Sequence, residues 1–332
     1  MDYKLIIKDI KAKKFENIYF LHGEEPYYID VITNAIIEYA LEEHERDFNQ
    51  TILYGKDSDT LSIISEAKGY PMMAERRLVI LKEAQDLKGL EDLLPYFEQP
   101  SNQTIFVINY KHKNYDSRKK SMKAASKNGI VYKSGKVPDY KLVDWIGTFI
   151  KSKGYGITPK ASMLLAEFVG NDLSKISNEL DKLSILVETG TTINEIHIEK
   201  NIGISKDYNV FELVNAISVR DVTKANTIVD YFNHNPKAAH IVVVVGNLFN
   251  HFSKLMKIHF LPNKNRATIA STLGIPPFIA GQLLTATETY NPKKIAANIT
   301  LLHEYDLKSK GVGNSSFTSG QLMKELIYRL MH

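Results

Sequence analysis

The stretch Ile18-Tyr-Phe-Leu-His-Gly-Glu-Glu-Pro-Tyr-Tyr-Ile-Asp30 constrains this chain more than any other. An apolar run meets Gly23, two acids and Pro26, and apolar residues at helical spacing then continue toward Glu42. The pattern predicts a short buried strand, a tight turn and a helix. A strand passing through a glycine turn into a helix is the layout of a phosphate-binding loop. Such a loop needs a second glycine for close backbone approach, a lysine for the β/γ-phosphate oxygens and a hydroxyl for Mg²⁺. Counted from Gly23, those places hold Tyr28, Ile29 and Asp30, while Glu24 and Glu25 stand where the anion would approach. The scaffold of a nucleotide switch is present and its phosphate chemistry is not.

Two further parts fail the same test. After the apolar run Leu78–Leu81 the chain offers Lys82-Glu83 where a metal-binding Asp-Glu pair belongs, so one acid is missing. The second glycine loop, Gly129 to Val137 with Gly135-Lys136, is one residue too long and lacks the hydroxyl. An active ATPase with an atypical loop is therefore the weaker reading. Cysteine is absent, which excludes zinc–thiolate sites, disulfides and thiol nucleophiles and fits a reducing compartment. The histidines show no ligand spacing: His234 and His240 straddle Pro236, and His251 and His259 are eight apart. Glu42-Glu43-His44-Glu45 is a charged helix end without a catalytic partner. No cofactor, metal or catalytic residue is expected.

The rest of the first 138 residues alternates strand and helix. Residues 1–16 form a short helix with basic flanks; Phe48–Leu53 has strand composition. Ser58 or Asp59 can cap a helix to Ala67 with Leu61 and Ile64 inward, stopped by Gly69 and Pro71. Then come the strand Leu78–Leu81, a helix over Leu87–Phe97, the strand Thr104–Ile108, a basic helix and the strand Gly129–Tyr132. Five alternations predict an α/β domain with a mostly parallel sheet. From Val137-Pro138 onward no strand is predicted. Leu142, Trp145, Ile146, Phe149 and Ile150 share one helical face, with Trp145 a core residue. Thr158-Pro159 starts a second helix, and Leu173, Ile176, Leu180, Leu183 and Val187 mark a third. Thr192–Glu195 and Asn209–Glu212 have capping-box spacing, and about six helices follow with Pro236, Pro276, Pro277 and Pro292 at their joints. The expected domains are 1–138, 139–207 and 208–332. The N-terminus lacks a signal-peptide pattern and the longest apolar patch, Ile241–Val245, is too short to span a membrane, so a cytoplasmic location is expected.

Five motifs in order resemble one family. They are Tyr19-Phe-Leu-His-Gly-Glu-Glu-Pro-Tyr27, Tyr70-Pro-Met-Met-Ala-Glu-Arg-Arg-Leu-Val79, Gly170-Asn-Asp-Leu173 with Glu179-Leu-Asp-Lys-Leu183, Asn209-Val-Phe-Glu-Leu213 and Asp306-Leu-Lys308. They are similar to the delta subunit of the bacterial DNA polymerase III clamp loader. The resemblance implies an AAA+-like α/β domain with a degenerate P-loop, a small helical lid and an all-helical collar that oligomerises. It implies no ATPase activity and a non-catalytic place in a polymerase holoenzyme. Its implied partners are the sliding clamp (beta), the ATPase subunits (gamma/tau) and delta-prime through the collar, and primer–template DNA, in a hetero-oligomer away from membranes. Where related motor subunits carry a γ-phosphate-sensing arginine after the lid glycine, this chain has Leu173. In the family, the connector before the third strand carries an apolar wedge that enters a clamp pocket. Carried over, that wedge is Tyr70, Met72 and Met73, with methionine where an aromatic is frequent. Without the family, apolar bulk in a connector is more simply a lid on the core.

Two other signals have plainer readings beside their functional ones. Lys111–Lys127 carries seven basic residues against Asp116, and Lys111, Lys113, Arg118, Lys119 and Lys120 are the candidates for DNA contact. A solvated helix face accounts for the same charges. Thr268–Ile275 followed by Pro276-Pro277-Phe278 mimics a helix-turn-helix, which would make the chain a DNA-binding protein. Residues 276–289 contain no Lys or Arg and Gln282 is alone, so helix packing is the better account.

Overall fold

The computed structural model describes residues 2–205, 207–275, 277–313 and 316–332, without the side chains of Pro277 and Phe278. The chain divides into two compact units, Met1–Val137 and Pro138–His332. In the first, the helices are α1 (Tyr3–Lys11), α2 (Pro26–Tyr39), α3 (Arg46–Asn49), α4 (Thr60–Lys68), α5 (Leu94–Glu98) and α6 (Lys120–Lys127). The strands are β1 (Ile18–Gly23), β2 (Gln50–Tyr54), β3 (Arg77–Lys82), β4 (Thr104–Lys111) and β5 (Ile130–Ser134). They form one parallel sheet in the order β2-β3-β4-β1-β5, with Ile18 beside Phe106 and Leu78 beside Ile105.

Alternate side chains of these strands enter two separate cores. Ile18, Phe20, Val79, Leu81, Phe106 and Ile108 meet α4, α5 and α6, whereas Tyr19, Leu21, Leu78, Ile80, Ile105 and Val107 meet α1 and α2. Burial on both faces is why these strands are continuous apolar runs rather than alternating ones. This is the α/β architecture that the alternation and the resemblance both implied.

Several boundaries differ from the sequence reading. Phe48 belongs to α3, not to a strand, and is exposed; the Gln50 N–H still donates to the Arg46 carbonyl, and pairing with β3 begins only at Gln50. Asp59 caps α4, which turns Ile63 and Ala67 inward and leaves Leu61 exposed. The helix expected over Leu87–Phe97 is broken: Gly89 adopts φ +74°, a 3₁₀ turn follows over Leu90–Leu93, and α5 comes after it. The strand expected over Gly129–Tyr132 is present as β5 and runs Ile130–Ser134.

The second unit begins with α7 (Asp139–Ser152), α8 (Pro159–Val169), α9 (Leu173–Leu186) and α10 (Glu195–Ile202). Two short strands, β6 (Gly156–Ile157) and β7 (Thr192–Ile193), pair in parallel where none was expected. That pairing uses Thr192, so the cap of α10 moves to Asn194, in a reciprocal box with His197 rather than Glu195. Trp145 is half-buried and stacked on Phe149, while Leu142, Ile146 and Ile150 make the buried face of α7.

Asn209 caps α11 (Val210–Ser218) through the Glu212 N–H. The chain continues as α12 (Val222–His234), α13 (Ile241–His259), α14 (Arg266–Leu273), α15 (Pro277–Thr289), α16 (Pro292–Ser309) and α17 (Ser319–Met331). Seven helices thus follow Asn209 among the described residues, and Pro276 lies outside them. By length and composition α13 meets the criteria for a membrane span, contrary to the expectation from Ile241–Val245 alone. Here Val244, Leu248, Phe252 and Leu255 form its buried face in the core shared by these helices.

The same face carries His251, whose Nε2 lies 3.0 Å from Ser218 Oγ. Burial, with Lys254 nearby adding to it, pushes its imidazole down to about 4. The folded state therefore holds it neutral. Its contribution is complete above the unfolded value of 6.5 and is lost as pH falls from there toward about 4. Glu167 on α8, raised by burial to about 7, acts in the opposite sense, so a paired comparison is needed. The α13 amides should lose protection between pH 7 and pH 5 in native-state hydrogen exchange. His251→Asn should reduce that loss by about 1–2 kcal/mol of opening free energy; an unchanged pH dependence would exclude His251 as its source.

Candidate functional site

The place where a nucleotide switch would hold phosphate is closed by the chain's own groups. Gly23 ends β1 with φ +142°, and a Cβ there would lie 2.0 Å from the Ser134 carbonyl oxygen. The glycine thus allows β5 to approach, independently of any anion. Ser134 Oγ donates to the Glu25 carbonyl at 2.6 Å, and the buried Glu25 carboxylate accepts the Tyr27 N–H at 3.0 Å. The positive end of the α2 dipole already meets a carboxylate. Tyr28 packs its ring 4.6 Å from Tyr3, and Ile29 is fully buried.

Asp30 has a cation of its own. Lys111, at the end of β4, places its ammonium 2.8 Å from Asp30 Oδ1 and 3.6 Å from Glu83 Oε1. Its backbone N–H donates to Gln85 Oε1 at 3.0 Å, and the Gln85 amide also bonds the Glu83 carboxylate. A P-loop enzyme holds Mg²⁺ between the loop hydroxyl and a Walker-B acid. This chain holds a lysine between the residues at those places. Leu173, at the sensor place, begins α9 and is fully buried.

The basic segment is correspondingly less free than its composition suggested. Lys111 is only 14% exposed and is engaged as described. Lys113 lies over the Tyr110 ring at 5.5 Å. Arg118 pairs with Asp116 at 2.8 Å, a contact that holds the Asp116 carboxyl at about 2. Lys119 pairs with Glu91 and lies 4.9 Å from the Tyr115 ring centre. Lys120 is exposed and shares one side of α6 with the exposed Lys123 and Lys127. Of the helix-turn-helix mimic, α14 and α15 are present and Gln282 is exposed.

The connector between α4 and β3 is the other distinctive surface. Tyr70, Met72 and Met73 are 82%, 59% and 101% exposed, so none of them lids the core. The segment that carries them is anchored from below. Glu66 and Arg77, on the flanking elements, form an ion pair, and Arg77 Nη2 also donates to Thr51 Oγ1 at 3.2 Å. The Arg76 guanidinium lies 5.8 Å from the Phe15 ring centre. Asn49 grips the backbone of Met72 from both sides: its Oδ1 accepts the Met72 N–H at 2.6 Å and its Nδ2 donates to the Met72 carbonyl at 2.9 Å. Met73 sits at φ +53°, a left-handed conformation that costs a non-glycine residue about 1–2 kcal/mol. Backbone strain of this kind persists only where the surroundings over-determine it.

Two family models match the chain. One, described as DNA polymerase III, delta subunit, covers residues 19–134; the other, DNA polymerase III delta subunit, C-terminal domain, covers residues 207–327. The chain belongs to the DNA polymerase III delta subunit family. It is 24% identical to the DNA polymerase III subunit delta of Bacillus subtilis (strain 168), over 91% of this chain and 90% of that one. It is 21% identical to the probable DNA polymerase III subunit delta of Aquifex aeolicus (strain VF5), over 65% and 63% of the two chains. A solved structure described as Bacillus subtilis DNA clamp loader delta protein (YqeN) shares its fold, with TM-score 0.58 and 22% identity over 99% of both chains.

Two participants escaped the sequence reading of this delta-family chain. The Lys111–Asp30 pair joins residues far apart in sequence, and only the β1–β4 pairing brings them together. Asn49 was hidden inside a stretch of strand-forming residues. Removing the Lys111 ammonium should leave Asp30 and Glu83 facing each other uncompensated. Lys111→Met is expected to cost about 1–2 kcal/mol, discounted because Asp30 is 44% exposed. Adding Asp30→Asn should recover part of it. Urea unfolding of both variants measures this, and an undestabilised Lys111→Met would show that the ammonium braces nothing.

Proposed function

We propose that this chain is the clamp-opening subunit of a bacterial replicative clamp loader, binding the sliding clamp without hydrolysing ATP. The observation that carries the proposal is the exposure of Tyr70, Met72 and Met73 on an anchored connector. Burying three such side chains yields about 1.5–3 kcal/mol each before association costs are subtracted. Methionine is flexible and polarizable, which suits a pocket entered while the ring changes shape. Opening follows if this surface prefers the strained, open clamp interface to the closed one.

The remaining parts fit the same assignment. Residues 139–207 act as a lid-like unit and residues 208–332 as the collar, which joins the ATPase subunits (gamma/tau) and delta-prime in a hetero-oligomer. Lys120 and its exposed neighbours on α6 are the surviving candidates for primer–template DNA. The closed P-loop position and the internal Lys111 cation support a subunit that neither binds nor hydrolyses nucleotide and performs no catalysis of its own. The setting is the bacterial cytoplasm.

Gel filtration with purified clamp in the absence of ATP should give stable co-elution, and titration calorimetry with ATP should show no heat of binding. Met72→Asp with Met73→Asp should abolish co-elution while leaving the fold intact by circular dichroism; native affinity in that double variant would sink the assignment. Met73→Gly separates strain from contact. It should match or exceed the parent in stability by up to about 1 kcal/mol while weakening clamp binding about 10-fold.

A further inference from the structure

Among the described residues, backbone hydrogen bonds flank the connector, from Gly69 N to Glu66 O and from Arg77 N to Gln103 O, and none falls within 70–76. A segment that presents three large apolar side chains to water would ordinarily be free to fold them back onto the surface. What holds it is a side chain. Asn49, wholly buried at the end of α3, uses one amide hydrogen on the Glu45 carbonyl at 3.0 Å and the other on the Met72 carbonyl at 2.9 Å. Its oxygen accepts the Met72 N–H at 2.6 Å. A carboxamide offers a donor and an acceptor side by side, so it pairs with one residue's N–H and C=O as a neighbouring strand would. The opposite amide orientation would face donor to donor and acceptor to acceptor at all three contacts, so the network fixes it.

We propose that Asn49 is the positioning residue of the clamp contact: it fixes the Met72 backbone and thereby keeps the Met72 and Met73 side chains outward before the clamp arrives. The inference rests on the reading of this connector as the clamp-binding surface. The conformational entropy of ordering the connector is then settled during folding rather than at association. The left-handed Met73 is the neighbour whose conformation this grip holds. Asparagine is specific here. Alanine removes all three bonds, whereas aspartate keeps the acceptor for the Met72 N–H but, when ionised, sets a charge against two carbonyls. Protonated, it regains a single donor for one of them.

The test uses the full chain and its cognate clamp. Asn49→Ala should abolish hydrogen-exchange protection of the Met72 amide while the β3 amides stay protected, and should raise the clamp Kd about 10-fold. Asn49→Asp should bind weakly at pH 8 and regain affinity as the pH is lowered and its carboxyl protonates. Ile63→Val, a small core truncation on α4, serves as the stability control and should bind as the parent does. Equal losses of affinity in Asn49→Ala and Ile63→Val at matched destabilisation would overturn the inference. So would an Asn49→Ala chain that binds within twofold of the parent. The Met72→Asp/Met73→Asp chain keeps the two readings apart. If it loses the clamp while Asn49→Ala binds normally, only the role of Asn49 falls; if it too binds normally, the contact surface itself was misplaced.

Discussion

Burial of the parallel strands on both faces is the constraint that arranges everything else in the first unit. With helices above and below, β1, β3 and β4 can expose only their ends. A parallel sheet gathers all strand starts at one edge and all strand finishes at the other. The β1–α2 turn and the Lys111 ion pair belong to the finishing edge, whereas the connector with Tyr70, Met72 and Met73 enters β3 at the starting edge. One strand length, about 20 Å for six residues, separates the remnant of a nucleotide site from the exposed apolar surface. Rigid strands link the two edges, and neither surface borrows a residue from the other.

At the finishing edge a lysine does the mechanical work that a bound metal does in a nucleotide switch. It joins the helix after the turn, the residue following β3 and the end of β4 into one electrostatic knot. A metal and its nucleotide come and go, and the elements they hold move with them. A lysine on the backbone stays. The cross-link at this edge is thus covalently tethered to β4 rather than supplied by a dissociable ligand.

How much of this was legible in the sequence depended on the range of the interaction. Counting from Gly23 sufficed to find Tyr28, Ile29 and Asp30 in place of a phosphate cradle, because that chemistry is local. The alternation of apolar runs gave the parallel sheet, because two-sided burial leaves a compositional trace at every strand. Caps were legible where one residue decides, as at Asp59, Thr158 and Asn209, and misplaced at Thr192, where a two-residue strand pairing pre-empted the box. Phe48 was misassigned because its apolar, strand-like neighbourhood hides a single helical turn, and Leu61 because Ile63 and Ala67, not the first turn of α4, face the sheet. The grip of Asn49 on Met72 and the Lys111–Asp30 pair left no trace in spacing, since both depend on elements that meet only after folding. The exposure of the connector followed from family resemblance; composition alone pointed to the core.

The burial of Ile29 fixes what any substitution at that place would meet. A lysine at that position would have to carry its ammonium out of an apolar core that includes Tyr19, Leu21, Ile32 and Ile36. Reopening the loop would also mean dislodging Glu25 from its cap and Lys111 from its acids, each of which now carries structural weight. Each single-residue step toward a phosphate cradle would therefore remove a packing or hydrogen-bonding contact before it added a ligand.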